Sequence, residues 1–272
     1  MSWFIRITLI WGTLFGIGRT VEAIVLFDAT VGTTPDAQGW LFATDPPIGA
    51  ASHQSIVGGL LLLNTRDDIS EQAGYFSKVP FLSFQHPDHP VIDLSLASYS
   101  ITFGMRQVAG SNLPDTDPLA VGEHNRGGFA LIAISEDLSG IELQFQTDQI
   151  VALDDENTAF PIGESQAFDS TAALYDFELK LSQTGYELLV DDLLLLEGSL
   201  RNYASIAPDP PKDFPYTTPS FFFWGDNTGR GEALSEVTQF EVNVVPEPVS
   251  WRLAVTSFFL IGVCHRCWGR TC

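Results

Sequence analysis

Between Ile24 and Val245 the chain falls into short apolar runs parted by Pro, Gly, Asp and Ser, and none sustains a helical period. Tyr175–Leu181 is the sharpest of them. Phe177, Leu179 and Leu181 alternate with Asp176, Glu178 and Lys180, the period-two pattern of a strand buried on one face. Ser182–Gly185 then turns the chain into Tyr186–Val190, and Asp191-Asp192 turns it into Leu193–Leu196, which makes a three-stranded meander. Ser100–Arg106 likewise puts Ile101, Phe103 and Met105 on one face. Phe129–Ile134 and Ile141–Phe145 read as a pair joined through Ser135–Gly140, and Gln239–Val244 as a final strand. Phe221–Trp224 is a continuous apolar run ahead of a Gly-Asp-Asn-Thr-Gly turn. Glu232–Val237 reads as a single helical turn and the Pro-rich Pro208–Pro215 as a surface loop. Many short strands at this spacing predict an all-β protein, an antiparallel β-sandwich of jelly-roll type.

Both ends read differently. Arg6 precedes the apolar Ile7–Ile17, and Val21-Glu22-Ala23 places small residues at the two cleavage positions, the pattern of a signal peptide cut after Ala23. At the other end Val245-Pro246-Glu247-Pro248 leads into the apolar Leu253–Cys264, with Arg266 and Arg270 behind it. A spanning helix needs about 20 apolar residues, so this short hydrophobic helix suits a transient stay in a membrane better than a permanent anchor. The two arginines would hold its end on the cytoplasmic side. The expected organisation is therefore residues 1–23 signal peptide, 24–245 one sandwich domain and 246–272 sorting tail.

Composition narrows the partners. Eight of the 13 Lys and Arg and 32 of the 34 acids fall in Ile24–Val245, a net charge of −24. Such a domain repels nucleic acid and anionic lipid, and its charge serves solubility outside the cell. All three cysteines, Cys264, Cys267 and Cys272, lie in the tail, so the domain is expected to fold without disulfides. The Cys264-x-x-Cys267 spacing has no second ligand pair and is discarded with the tail.

Two resemblances follow from these residues. Pro246-Glu247-Pro248, the hydrophobic segment and the Arg-containing end resemble the PEP-CTERM sorting signal of Gram-negative bacteria. That resemblance implies an exosortase that recognises Pro246, Glu247 and Pro248 and removes the tail, after signal peptidase has acted at Ala23. The body resembles the concanavalin A-like (laminin G-like) sandwiches, through Asp36–Phe42, Arg126–Ile134, Gly140–Leu143, Leu196–Tyr203 and Phe223–Thr228. It implies two curved antiparallel sheets with calcium or sugar at the loop rim of some members.

Candidate chemistry is sparse. A retaining glycosidase on such a sheet needs two carboxylates about 5 Å apart, one as nucleophile and one as acid. No Glu-x-Asp-x-(x)-Glu run supplies them. His86-Pro87-Asp88-His89 holds two imidazoles, but zinc needs further ligands and only His53 and Glu123-His124 are on offer, so it reads as a rigid solvated loop. No cofactor is called for. Calcium is the candidate ion, at Asp226 and Asn227, with Asp115, Asp117 and Asp154–Asn157 as further oxygen donors. Trp224, Asp226 and Arg126 are the candidate glycan contacts, although Trp224 also reads as the buried continuation of its strand. These readings together give an exported surface or matrix protein of structural or adhesive role, with extracellular polysaccharide as partner. A carbohydrate-active enzyme with a non-standard carboxylate pair is the alternative.

Overall fold

The computed structural model describes residues 23–45, 53–66, 71–111, 127–154, 161–206, 214–228 and 232–246. All but the last residue of the expected signal peptide and all but the first residue of the expected sorting tail lie outside them. The described residues form an antiparallel β-sandwich.

The first sheet runs in the order β15 (Leu193–Gly198), β14 (Gly185–Val190), β13 (Tyr175–Ser182), β8 (Ala97–Ser111), β18 (Glu232–Pro246), β4 (Leu60–Asn64) and β3 (Gln54–Val57). β1 (Ala23–Asp28) also pairs with β18. The second sheet runs β12 (Ile162–Ala167), β11 (Gln149–Leu153), β10 (Ser139–Phe145), β9 (Phe129–Ile134), β17 (Phe221–Asp226), β5 (Gln72–Phe76) and β2 (Leu41–Asp45), with β16 (Arg201–Asn202) on β10. A two-stranded ribbon pairs β6 (Lys78–Val79) with β7 (Phe84–Gln85).

The expected meander is present as β13–β14–β15. Its second turn is a two-residue hairpin in which Asp191 (φ 47°) and Asp192 (φ 66°) both take left-handed backbone. That is the primed turn whose twist matches the flanking strands, and Asp tolerates it through local hydrogen bonding. Register then decides which side chains meet: Phe177 lies opposite Phe103, and Leu179 opposite Ile101. These residues face the interior, while Asp176, Glu178 and Lys180 face outward, so the first sheet has one wet face.

The second sheet does not. Every residue of β9 and of β17 is buried. Phe129, Leu131, Ala133, Phe222 and Trp224 join the interior between the sheets. Ala130, Ile132, Ile134, Phe221 and Phe223 pack instead on the opposite face, beneath Tyr203, Phe214 and Tyr216. A strand covered on both faces shows no alternation, which is why Phe221–Trp224 reads as one apolar run.

Two readings of the sequence change here. Glu232–Val237 is no helical turn but the first part of β18, paired with Ser111–Met105 of β8. Phe214 and Pro215 are not part of a solvated loop: Phe214 lies against Phe76 at 5.6 Å between ring centroids and packs on Phe221. Pro208–Asp213 lie outside the described residues.

Candidate functional site

The outer face of the second sheet carries the most unusual group of side chains in the molecule. On β10, Ile141, Leu143 and Phe145 enter the core, so Glu142 and Gln144 project to the other side. They stand opposite Ile132 and Ala130 of β9, under the cover of Tyr203 and Tyr216. Glu142 is thereby 0% exposed. Burying a carboxylate is costly unless hydrogen-bond donors replace water. Three do so: Tyr216 Oη donates to Oε2 (2.5 Å), while Asn227 Nδ2 (2.8 Å) and Gln144 Nε2 (3.1 Å) donate to Oε1. Gln144 in turn accepts from the Gly127 amide at 3.3 Å. Asn227 Oδ1 is buried without a hydrogen-bond partner. The three donors to Glu142 are two amides and a phenol, so this cluster binds or orients through one carboxylate rather than a pair.

A second construction ties the sheets together near β12. The Arg201 side chain is 7% exposed, and its Nε donates to the Leu153 carbonyl and its Nη1 to the Ser199 carbonyl, both at 2.7 Å. Nη2 pairs with the Glu164 carboxylate, which also accepts from Tyr186 Oη at 3.1 Å. Burial opposes ionisation of Glu164, but the hydrogen bond and charge of Arg201 outweigh it and hold the carboxyl below its ordinary range. Burial likewise pushes the Tyr186 phenol up, and the adjacent Glu164 charge adds to that.

The residues singled out in the sequence are scattered by the fold. Trp224 is 0% exposed and packs among Tyr75, Trp40, Phe27, Phe240 and Phe129, with centroid distances from 4.3 to 6.2 Å. It is a core residue and offers no stacking platform to a sugar. Asp226 is 1% exposed and fully engaged. Its Oδ2 accepts from Thr65 Oγ1 (2.5 Å) and its Oδ1 from Thr228 N (2.9 Å) and Oγ1 (2.7 Å). It fastens the end of β17 to the first sheet, and no oxygen is left facing outward for calcium or sugar. Asn227, one residue on, points to Glu142 instead, so the expected pair does not converge.

The histidines are also moved inward. His86 and His89 are buried, not solvated. His86 meets Trp40 edge-on at 5.4 Å, and His89 meets Phe222 at 5.3 Å. His89 Nε2 donates to the Ser220 carbonyl at 2.8 Å, and burial lowers its pKa to about 4. His86 Nδ1 accepts from the Asp88 amide, and burial lowers its pKa too. His53 is separately buried beside Glu71, at 3.6 Å. Among the described residues no three His, Cys, Asp or Glu side chains are grouped to hold a metal. Arg126, Asp115, Asp117, Glu123, His124 and Asp155–Asn157 lie outside the described residues. Of the sorting and cleavage positions, Ala23 opens β1 opposite Asn243 and Pro246 closes β18 opposite Ala97; Glu247 and Pro248 lie outside.

Glu142 was accessible to sequence reasoning. Phe129–Ile134 has no polar residue on either face, which signals that both faces of that sheet are covered. A polar residue on the adjacent strand then has to be buried as well.

These features define a two-sheet antiparallel sandwich with a roofed outer face. No family model matches the chain, and no curated protein matches it. Solved structures do. A carbohydrate esterase of the Shiga toxin-encoding bacteriophage phi24B is 10% identical, over 82% of this chain and 100% of that one, with a TM-score of 0.51. A galectin-like protein of unknown function from Bacillus subtilis is 9% identical over 84% of this chain and 100% of that one, with a TM-score of 0.47. A sialidase is 11% identical over 82% of this chain, which spans only 18% of the sialidase, with a TM-score of 0.44. At such identities the likeness is one of fold. Among the described residues no helix is long and apolar enough to cross a membrane, and Leu253–Cys264 lies outside them.

Proposed function

We propose that the protein is exported, cut by signal peptidase after Ala23 and by an exosortase at Pro246-Glu247-Pro248, and retained at the surface or matrix of a Gram-negative-type bacterium. Its role there is structural or adhesive, with weak binding of extracellular polysaccharide. The observation that carries this reading is the placement of the two processing points against the paired strands. Ala23 lies opposite Asn243, three residues before Pro246, where β1 pairs with β18. Cutting after Ala23 would take one residue from β1 and leave Ile24–Asp28 beside β18, with both new ends at one end of the first sheet. The surplus of acids keeps such a domain soluble and away from phosphate polymers. Intact mass of the native surface protein tests this: loss of residues 1–23 and of the region after about Pro246 is expected, and a mass that includes Cys272 refutes it.

One observation favours a second reading, the carbohydrate-active enzyme. Glu142 is a buried, triply hydrogen-bonded carboxylate on a sheet face, and such a group is costly to keep for stability alone. Release of reducing sugar from a polysaccharide, abolished in Glu142→Gln while the fold persists, would establish that reading. Binding without turnover would leave the adhesive one.

A further inference from the structure

At the end of the sandwich where β8 begins and β18 stops, Val91–Leu96 crosses from one sheet to the other. The Ile92 amide donates to Ser220 Oγ, just before β17, at 2.9 Å, and the Asp93 amide donates to Tyr99 Oη on β8 at 2.8 Å. The Glu136 amide, just after β9, donates to the Ile92 carbonyl at 2.7 Å. Held in this way, Ile92 and Leu94 close the core, and Val91 and Leu96 are left outside. The β6–β7 ribbon follows β5 at the same end, fixed by the Ser77 amide on the Phe222 carbonyl. Its tip, Pro80–Leu82, carries Phe81 and Leu82, and Phe81 leans on Phe214 at 5.4 Å between ring centroids. Val245, opposite Ser98, is the fifth apolar side chain there. All five are exposed, from 41% to 70%.

Single apolar residues on a surface are ordinary, but a group of them gathered at one end marks an interaction site. Chain length says what this end meets. β18 ends at Pro246 and the apolar Leu253–Cys264 begins seven residues later, a reach of at most about 25 Å. Ala23 lies at the same end of the first sheet, and the apolar Ile7–Ile17 stops six residues before it, a reach of at most about 20 Å. Whichever apolar run sits in a bilayer, this end of the domain is the one drawn to it. The exposed acids Asp88, Glu136 and Asp137 on the adjoining turns disfavour a negatively charged surface.

We propose that this end of the sandwich is a membrane-facing surface, and that Phe81, Leu82, Val91, Leu96 and Val245 enter the headgroup layer of a zwitterionic bilayer while the tail is inserted. This rests on the sorting-tail reading above and adds a lipid contact made by the domain itself. Each side chain gains in proportion to the apolar area it withdraws from water. So small an apolar area binds only reversibly without a tether, so cutting the tail releases the domain.

The full chain in phosphatidylcholine vesicles tests this, with an environment-sensitive dye on one cysteine at a time. Cys264 is labelled in a chain carrying Cys267→Ser and Cys272→Ser, while Leu96→Cys and Leu193→Cys are labelled with all three native cysteines replaced by Ser. The Leu96 dye is expected to shift to the blue and to be quenched by brominated lipid, as the Cys264 dye is. The dye at Leu193, beyond the Asp191-Asp192 turn at the opposite end of the sheet, should stay in water. Phe81→Ser with Leu82→Ser should lower quenching of the Leu96 dye at least about threefold. Both side chains are exposed, so the melting temperature of that variant should hold. Leu193→Ser with Leu194→Ser should leave the quenching unchanged, and vesicles rich in phosphatidylglycerol should reduce it. A Leu96 dye quenched no more than the Leu193 dye, or an unaffected Phe81/Leu82 variant, would overturn the proposal. If the Cys264 dye nevertheless enters lipid, the sorting-tail reading stands; if it too stays in water, both fail. A Leu96 dye already shifted without lipid, together with the mass of a dimer, would give this face to a second copy of the chain and overturn the proposal as well.

Discussion

Replacing Trp224 by Ala separates a core residue from a ligand platform. The indole is 0% exposed and has five aromatic neighbours, the nearest being Tyr75 at 4.3 Å between ring centroids. A buried Trp withdraws about 200 Å2 or more from water, and truncation to Ala gives back roughly 160 Å2 of it. At about 25 cal/mol per Å2 that is about 4 kcal/mol. Rings from both sheets surround the site, so it cannot collapse fully, and the residual cavity places the loss toward the upper part of the ~3–5 kcal/mol range for such truncations. No hydrogen bond is lost, because Nε1 has no hydrogen-bond partner in the fold. Trp224→Phe keeps stacking against Tyr75 and Phe240 and should cost only about 1–2 kcal/mol. Total stability is ~5–15 kcal/mol, so the Ala variant should shift the urea midpoint strongly, followed by far-UV circular dichroism at unchanged slope. A loss below about 0.5 kcal/mol, the scale of surface substitutions, would refute the core assignment, above all if glycan binding fell with it.

Three further outcomes are expected. Arg201→Met strands Glu164 and two backbone carbonyls and should cost about 2–3 kcal/mol, below the full buried-pair value because Glu164 is one third exposed; unchanged denaturant stability would refute the clamp. His89 titrates at about 4 in the fold and near 6.5 unfolded, so the unfolded chain binds more protons between those values. Stability should therefore fall as pH drops from 6.5 to 4, by about 3 kcal/mol from this group, and His89→Gln should show a shallower dependence than the unaltered protein. An equal dependence would refute the buried neutral imidazole. The domain should melt at the same temperature with and without reductant, since Cys264, Cys267 and Cys272 all lie in the tail. A reductant-dependent melt would mean that those cysteines support the fold.

The sequence alone determined most of the strands. Alternation in Tyr175–Leu181, the Asp191-Asp192 turn and the strand of Ser100–Arg106 are local patterns, encoded by neighbours two residues apart, and each stands in the structure where it was expected. What only tertiary structure decided is which face each strand turns to and what covers it. Glu142 is a polar residue of a strand until Tyr203 and Tyr216, more than sixty residues away, roof that face and make it a buried carboxylate. Asp226 and Asn227 are one rim site in the sequence, yet the pleat sends one to Thr65 and the other to Glu142. His86 and His89 look like a solvated loop until the loop packs on Trp40 and Phe222. Glu187 and Glu197 become a pair only through the register of β14 on β15. Periodicity is a property of adjacent residues, whereas cover, register and charge pairing depend on segments far apart in the chain.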